Sequence, residues 1–136
     1  GVIEQYDSPE HIYKRPATEF VARFIGFENF LELSHVDGHR YKAADESHFE
    51  IEMDFDGEDF MGTIRPDDIR LAEDGQTGNV ITGTVGVRTF LGKSYQYEVN
   101  TAAGVLKVNT DTEKSFAEGE TIRLYLPADK LILVRR

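Results

Sequence analysis

A glycine-rich turn near the middle of the chain offers the chemistry closest to nucleotide binding. It contains Gly86, Gly92, Lys93 and Ser94. A phosphate-binding loop holds phosphate with backbone N–H groups and a lysine, and it has four residues between its two glycines. Here five residues, 87–91, lie between them, and residues 95–99 alternate like a strand instead of beginning a helix that could bind phosphate. We therefore predict a strand, a turn and a second strand here, and no ATP hydrolysis by this chain.

An acidic stretch supplies the oxygen ligands that calcium prefers. Its carboxylates belong to Asp54, Asp56, Glu58 and Asp59. A helix–loop–helix calcium loop has its glycine at the sixth position, whereas Gly57 is fourth, and no helical pattern flanks the stretch. We interpret it as the acidic end of a hairpin, which keeps an edge strand from pairing with other chains.

Four histidines are the available nitrogen ligands for a transition metal: His11, His35, His39 and His48. His35 and His39 lie on either side of a predicted turn, so their rings could meet across a hairpin. A structural zinc site needs four ligands, and the sequence shows no third ligand near this pair. We therefore predict no metal site.

No catalytic group stands out. Ser94 has no histidine near it in the sequence, and 25 Asp and Glu residues are too many to single out an acid–base pair. We interpret these carboxylates as solubilising. The sequence therefore indicates no catalytic residue and no bound cofactor in this chain.

The composition limits the possible partners. The chain has 136 residues and a formal net charge of -10, the opposite of what a nucleic-acid-binding surface needs. It has no cysteine, so disulfides and thiolate zinc sites are excluded. No apolar run approaches the roughly 20 residues of a membrane span, and the N-terminus does not have the layout of a signal peptide. We expect an acidic intracellular domain without direct membrane insertion or nucleic-acid binding.

The most distinctive stretch comprises residues 64–71. A predicted strand ends at Arg65 and Pro66. Asp67 and Asp68 follow, and we expect a helical turn to begin there, because the free N–H groups at such a start favour negative charge. Arg65 has the geometry to bind a carboxylate with two hydrogen bonds. We predict a structural or interface corner at Arg65, Pro66, Asp67 and Asp68.

The first 26 residues have a helical pattern. Ser8 and Pro9 are typical of a helix start, and Pro16 ends this short helix. Thr18 begins a second helix that stops near Gly26. Its apolar residues share one predicted face: Phe20, Val21, Phe24 and Ile25.

After Gly26 the pattern becomes alternating, which is typical of strands. Residues 49–55 predict one strand with a wet face, followed by a hairpin turn at Asp56-Gly57, and Asp37-Gly38 is an earlier turn. Further apolar alternation occurs at residues 95–99, 105–108, 122–126 and 131–134. We predict a mainly β fold, a small barrel or sandwich of short strands preceded by two short helices.

These motifs, taken in order, resemble the C-terminal part of the ATP-binding subunit of a solute-importing ABC transporter, in the polyamine, ferric-iron, sulfate and sugar group. The resemblance rests on stretches that span nearly the whole chain: Ile3-Glu4-Gln5, Ser8 to Tyr13, Arg15-Pro16-Ala17, Phe20 to Gly26, Ile64 to Leu71, Thr89 to Gly92 with Tyr95 and Val99, and Leu126, Asp129 and Leu131. Asp67 replaces a usual glutamate, and Tyr6-Asp7 replaces a pair that often contains glycine. The resemblance implies that residues 1–26 end a nucleotide-binding domain and that residues 27–136 form an accessory barrel of the oligonucleotide/oligosaccharide-binding (OB) type.

The resemblance implies a regulatory role without chemistry in this fragment. ATP, magnesium and the catalytic motifs would belong to a parent domain upstream of Gly1. The implied partners are a second copy of the chain, the parent ATPase domain and, through it, the permease subunits at the cytoplasmic face of the membrane. Phe20, Phe24 and Ile25 would dock on a neighbouring chain or on the barrel. Likeness of the stretch Phe90-Leu91-Gly92 with Tyr95 and Tyr97 favours a polyamine (spermidine or putrescine) or iron(III) as solute.

Two other functions are compatible with a small barrel. A free-standing barrel could bind a small ligand such as an oxyanion or a cation, and it would need no ATPase upstream. A nucleic-acid-binding barrel would need basic grooves with stacking aromatics, and the net charge of -10 argues against it.

Overall fold

Short antiparallel strands make up most of the structure, a computed structural model that describes residues 8–136. Within these residues two helices, α1 (Pro9–Lys14) and α2 (Glu19–Phe24), precede eleven strands, and a 3-10 turn, Pro66–Asp68, lies between β5 and β6. The strands are β1 (Asn29–Leu31), β2 (Ser34–Asp37), β3 (Arg40–Lys42), β4 (His48–Glu50), β5 (Phe60–Ile64), β6 (Arg70–Leu71), β7 (Val80–Phe90), β8 (Tyr95–Thr101), β9 (Gly104–Thr110), β10 (Thr121–Tyr125) and β11 (Ile132–Arg135). The match at Ile3-Glu4-Gln5 and the departure at Tyr6-Asp7 lie outside the described residues.

The described strands form three sheets around one core. Their orders are β1-β5-β11, β6-β10-β7-β8-β9 and β2-β3-β4. Each sheet contributes side chains to a single buried cluster, for example Ile64 from the first, Tyr97 from the second and Phe49 from the third. The inward side chains alternate along the strands, as they must when one face of a strand is buried. The predicted mainly β barrel preceded by two short helices is confirmed.

Both helices begin and end where the sequence predicts. The Ser8 hydroxyl accepts the His11 N–H at 3.2 Å, and α1 ends at Lys14, ahead of Pro16. The Thr18 hydroxyl accepts the Val21 N–H at 3.1 Å and caps α2. After α2, Gly26 has a φ of +100°, which glycine adopts without strain.

The predicted strand over residues 49–55 is wrong beyond its first residues. β4 ends at Glu50, and the following backbone bonds to loops, with Ile51 N–H donating to the His39 carbonyl and Glu52 N–H to the Ala128 carbonyl. The predicted hairpin at Asp56-Gly57 is also wrong, because β4 pairs with β3 while β5 pairs with β1 and β11. The in-and-out alternation of side chains nevertheless persists through this segment.

The predicted turn at Asp37-Gly38 is confirmed. It connects β2 to β3, and Gly38 has a φ of +47°. Among the residues that the structure describes, neither helix has the length and apolar character needed to cross a bilayer.

Candidate functional site

The predicted corner forms where β5 leaves the barrel. Pro66 begins the 3-10 turn, which closes through a hydrogen bond from the Asp68 N–H to the Arg65 carbonyl at 3.0 Å. The Asp67 carboxylate accepts a hydrogen bond at 2.7 Å from the side-chain amide of Asn109, on β9. Asn109 in turn accepts one at 2.9 Å from Gln96, on β8. The corner is therefore tied to β9, the edge strand of the largest sheet, and through it to β8.

Within residues 8–136, Arg65 has aromatic partners in place of the carboxylate that its geometry favours. Its guanidinium lies between two aromatic rings, 3.9 Å from the centroid of Tyr13 and 4.1 Å from that of Phe27. It also donates to the Tyr13 carbonyl at 3.3 Å. A guanidinium is attracted to the face of an aromatic ring, and Arg65 lies over the faces of two rings at once. Arg65 thus holds the end of α1 against the barrel.

Sequence reasoning missed Tyr13 and Phe27 as partners of Arg65. The three residues are far apart in the chain, and neither aromatic has a spacing that relates it to the arginine. The sequence pointed to these ring partners only in that aromatic residues occur in both segments that flank α2.

The docking helix α2 presents two different apolar sides. Ala22 is fully buried and packs with Val134 and Ile132 of β11, and Ile25 is partly buried against the same small cluster. Phe20 and Phe24 point away from this contact and are 67% and 83% exposed. The contact with β11 is thus made by Ala22 and Ile25, while Phe20 and Phe24 lie together on the exposed side of the helix.

The linker between the helices also joins the barrel. The Arg135 N–H donates to the Ala17 carbonyl at 3.0 Å, and Thr18 forms a parallel bridge with Arg135. The Arg23 guanidinium lies 4.0 Å from the centroid of the Phe30 ring and bonds Glu19 at 2.8 Å. The second helix is consequently fixed to the barrel by backbone as well as side-chain contacts.

The glycine-rich turn is a hairpin, as predicted. Gly86 lies within β7, Gly92 has a φ of +92° in the turn, and β8 begins at Tyr95. The Leu91 N–H donates to the Ser94 carbonyl at 2.8 Å. The prediction of a strand, a turn and a strand is confirmed.

His35 and His39, on either side of the turn, contact different groups. His35 lies 2.9 Å from the Gly38 carbonyl, whereas His39 lies 2.9 Å from the Ile51 carbonyl and 3.2 Å from the Asp54 carboxylate. Across residues 8–136, no three His, Asp or Glu side chains are grouped so that they could hold a metal ion.

These features define a small β-barrel domain with a helical lead-in. A family model described as TOBE domain matches residues 62–134, more than half of the chain. The chain belongs to the TOBE domain family.

The chain is similar along most of its length to spermidine/putrescine import ATP-binding proteins. It is 35% identical to PotA 1 of Pseudomonas aeruginosa, an alignment that covers 95% of this chain and 37% of the relative. It is 33% identical to PotA of onion yellows phytoplasma, over 81% of this chain and 26% of that protein. PotA of Clostridium acetobutylicum is 28% identical over 100% of this chain and 38% of its own length. The chain thus spans about a quarter to two fifths of these relatives.

The fold is also that of a solved structure, the cytoplasmic molybdate-binding protein ModG with molybdate bound. The TM-score is 0.64 at 10% sequence identity, over 82% of this chain and 99% of ModG. This likeness concerns the fold alone and confirms the predicted OB-like barrel class.

Proposed function

We propose that this chain is the regulatory domain of the ATP-binding subunit of an ABC importer that takes up a polyamine, spermidine or putrescine. The observation that carries this proposal is that the similarity to polyamine import ATP-binding proteins extends across 100% of this chain in the Clostridium acetobutylicum relative. A barrel with an unrelated helical extension would be similar only over its barrel. The names of the relatives favour a polyamine over iron(III), and they do not favour a free-standing ligand-binding barrel.

In this proposal, residues 1–26 are the end of the nucleotide-binding domain and residues 27–136 are the regulatory domain. Phe20 and Phe24 are 67% and 83% exposed on the side of α2 that faces away from β11. Exposed aromatic side chains next to each other mark an interaction site. The parent ATPase domain covers both rings, while Ala22 and Ile25 remain against the barrel, so that α2 packs between the two domains.

The corner at Arg65, Pro66, Asp67 and Asp68 fixes the orientation of the parent domain relative to the barrel. Arg65 contacts α1 through Tyr13, and Asp67 contacts β9 through Asn109. A force applied to α1 therefore reaches the largest sheet through one turn.

The domain performs no chemistry in this proposal. ATP and magnesium bind to the parent domain, which pairs with a second copy and contacts the permease subunits at the cytoplasmic face of the membrane. The barrel regulates transport by stabilising one state of the ATPase pair over another. A coupled domain can shift an equilibrium only if its interaction free energy differs between the two states.

The reading frame upstream of Gly1 tests this proposal directly. We expect a G-x-x-x-x-G-K-[ST] loop about 200 residues earlier. Cells that lack their own polyamine importer, when supplied with the whole transporter, should then accumulate labelled spermidine but not iron(III). A start codon next to Gly1 would refute the importer role, and uptake of iron(III) alone would refute a polyamine as the transported solute.

A further inference from the structure

A methionine sulfur bonds the outer edge of β11. β11 is an outer strand of the sheet β1-β5-β11, so within the described residues one of its edges has no full strand beside it. The Leu133 N–H on this edge donates to the Met53 sulfur at 3.1 Å, and the Arg135 N–H donates to the Ala17 carbonyl at 3.0 Å. Met53 and the linker between the helices thus take the place of a neighbouring strand.

Met53 also contacts both hydrophobic clusters of the described structure. It is half-buried and packs against the large barrel core, to which Leu133 belongs. It packs as well against the small cluster in which Ala22 of α2 meets Ile132 and Val134 of β11. A change in size or polarity at this sulfur therefore reaches the α2–β11 contact as well as the barrel.

Open grooves reach Met53 from two directions. One, of about 480 Å³, is lined by Met53, Ala17 and Leu133 among others and follows the outer edge of β11. The other, of about 360 Å³, lies beside the turn at Gly38. Met61, the second of two methionines in the chain, is only 9% exposed and lies within the small cluster. Met53 is the more accessible of the two.

We propose that Met53 is a reversible oxidation site, at which hydrogen peroxide converts the thioether to a sulfoxide. The sulfur gives an electron pair to one peroxide oxygen, the O–O bond breaks, and the departing hydroxide takes the proton of the transferred oxygen to leave as water. The sulfur is oxidised and the peroxide is reduced. Peroxide is small and uncharged, so the carboxylates of Glu52, Asp54 and Asp56 along the groove do not repel it. Methionine sulfoxide reductases restore the thioether.

The added oxygen weakens the outer edge of β11. A sulfoxide sulfur is electron-poor and no longer accepts the Leu133 N–H, and an oxygen atom does not fit between a nitrogen and a sulfur that are 3.1 Å apart. The sulfoxide is also polar, which is unfavourable beside two apolar clusters. Met53 consequently moves away from β11, and the N–H groups of Leu133 and Arg135 become less protected. This inference concerns the chain alone and does not depend on the importer role.

Treatment of the 136-residue chain with dilute hydrogen peroxide tests the site. Fragment-ion mass spectrometry locates the added oxygen at Met53 or Met61. Because susceptibility follows exposure, Met53 should be oxidised roughly tenfold faster than Met61, and the reductases should remove the oxygen. Met61→Leu should keep the fast oxidation and Met53→Leu should abolish it. Equal rates at the two methionines, or a faster rate at Met61, would overturn the proposal.

Amide hydrogen exchange measures the effect on the edge of β11. In the oxidised chain the Leu133 and Arg135 amides should exchange roughly tenfold faster, while the Val99 amide, within β8, keeps its protection. Peroxide should change neither amide in Met53→Leu. Unchanged or slower exchange at Leu133, loss of protection at Val99 as well, or the same response to peroxide in Met53→Leu would each overturn the effect. None of these results bears on the upstream reading frame, so the importer role is judged separately.

Discussion

The side chain of Asn79 pairs with the backbone of Glu50 as a neighbouring strand would. Its Oδ1 accepts the Glu50 N–H at 2.7 Å, and its Nδ2 donates to the Glu50 carbonyl at 2.8 Å. The same Nδ2 donates to the Leu126 carbonyl at 2.8 Å. One buried amide therefore joins the end of β4 to the segment that follows β10, alongside the backbone hydrogen bonds that Asn79 makes with His48 and Leu126.

Asn79→Ala should destabilise the fold by about 3 kcal/mol. The substitution removes three hydrogen bonds, and a buried group left without a partner costs about 1–3 kcal/mol. Asn79 also has a φ of +55°, a conformation that alanine tolerates less well than asparagine. Urea unfolding followed by circular dichroism measures the loss, with the exposed Asn100→Ala as control. Equal stability of the two variants would contradict the role of Asn79.

Arg65→Lys should release α1 without unfolding the barrel. Lysine keeps the charge but cannot place a flat guanidinium against both Tyr13 and Phe27, and each such contact is worth about 0.5–1 kcal/mol. Hydrogen exchange of the α1 amides should become faster, while the β7–β8 amides stay protected. Arg70→Lys, at an exposed arginine on β6, is the control. Unchanged exchange in α1 would mean that other contacts hold this helix.

Local hydrogen bonds explain which elements the sequence predicts well. The caps at Ser8 and Thr18 and the turn at Gly38 depend on residues within three or four positions, so their signals lie in short stretches. The corner that begins at Pro66 is equally local, because proline and two carboxylates suit the start of a helical turn.

Contacts distant in sequence explain what the sequence misses. Residues 51–55 have the alternation of a strand, but the N–H groups of Ile51 and Glu52 donate to the carbonyls of His39 and Ala128, which no local pattern indicates. In α2, both the Phe20 side and the Ala22 side have helical spacing, and only the position of β11 decides which one is buried. The ring partners of Arg65 are missed for the same reason.

Substitutions on the two sides of α2 should affect different properties. A change on the buried side should lower the stability of the chain, and a change on the exposed side should lower transport. Ala22→Asp should destabilise the chain by several kcal/mol, because Ala22 is 0% exposed and a buried charge without a partner is costly. Phe24→Asp should change its stability by less than about 0.5 kcal/mol, as is usual at exposed sites.

In the whole transporter, Phe24→Asp should lower spermidine uptake, since the proposed parent domain covers this ring. Thermal unfolding of the chain and uptake in cells measure the two effects. Wild-type uptake with Phe24→Asp would contradict the docking role of this side of α2.

The stability of the fold should fall at high pH through Tyr41. Burial raises the pKa of its phenol above the ordinary value of 10.0, and the ring packs against Phe60 at 5.5 Å. The unfolded chain then loses this proton more readily than the folded chain, so the stabilisation is complete below pH 10 and is lost as the pH rises through the folded pKa.

Urea unfolding at about pH 8 and about pH 10.5 should therefore show a smaller loss of stability for Tyr41→Phe than for the wild type. A Tyr41→Phe variant that loses as much stability as the wild type would show that this phenol ionises equally easily in the folded and unfolded chains.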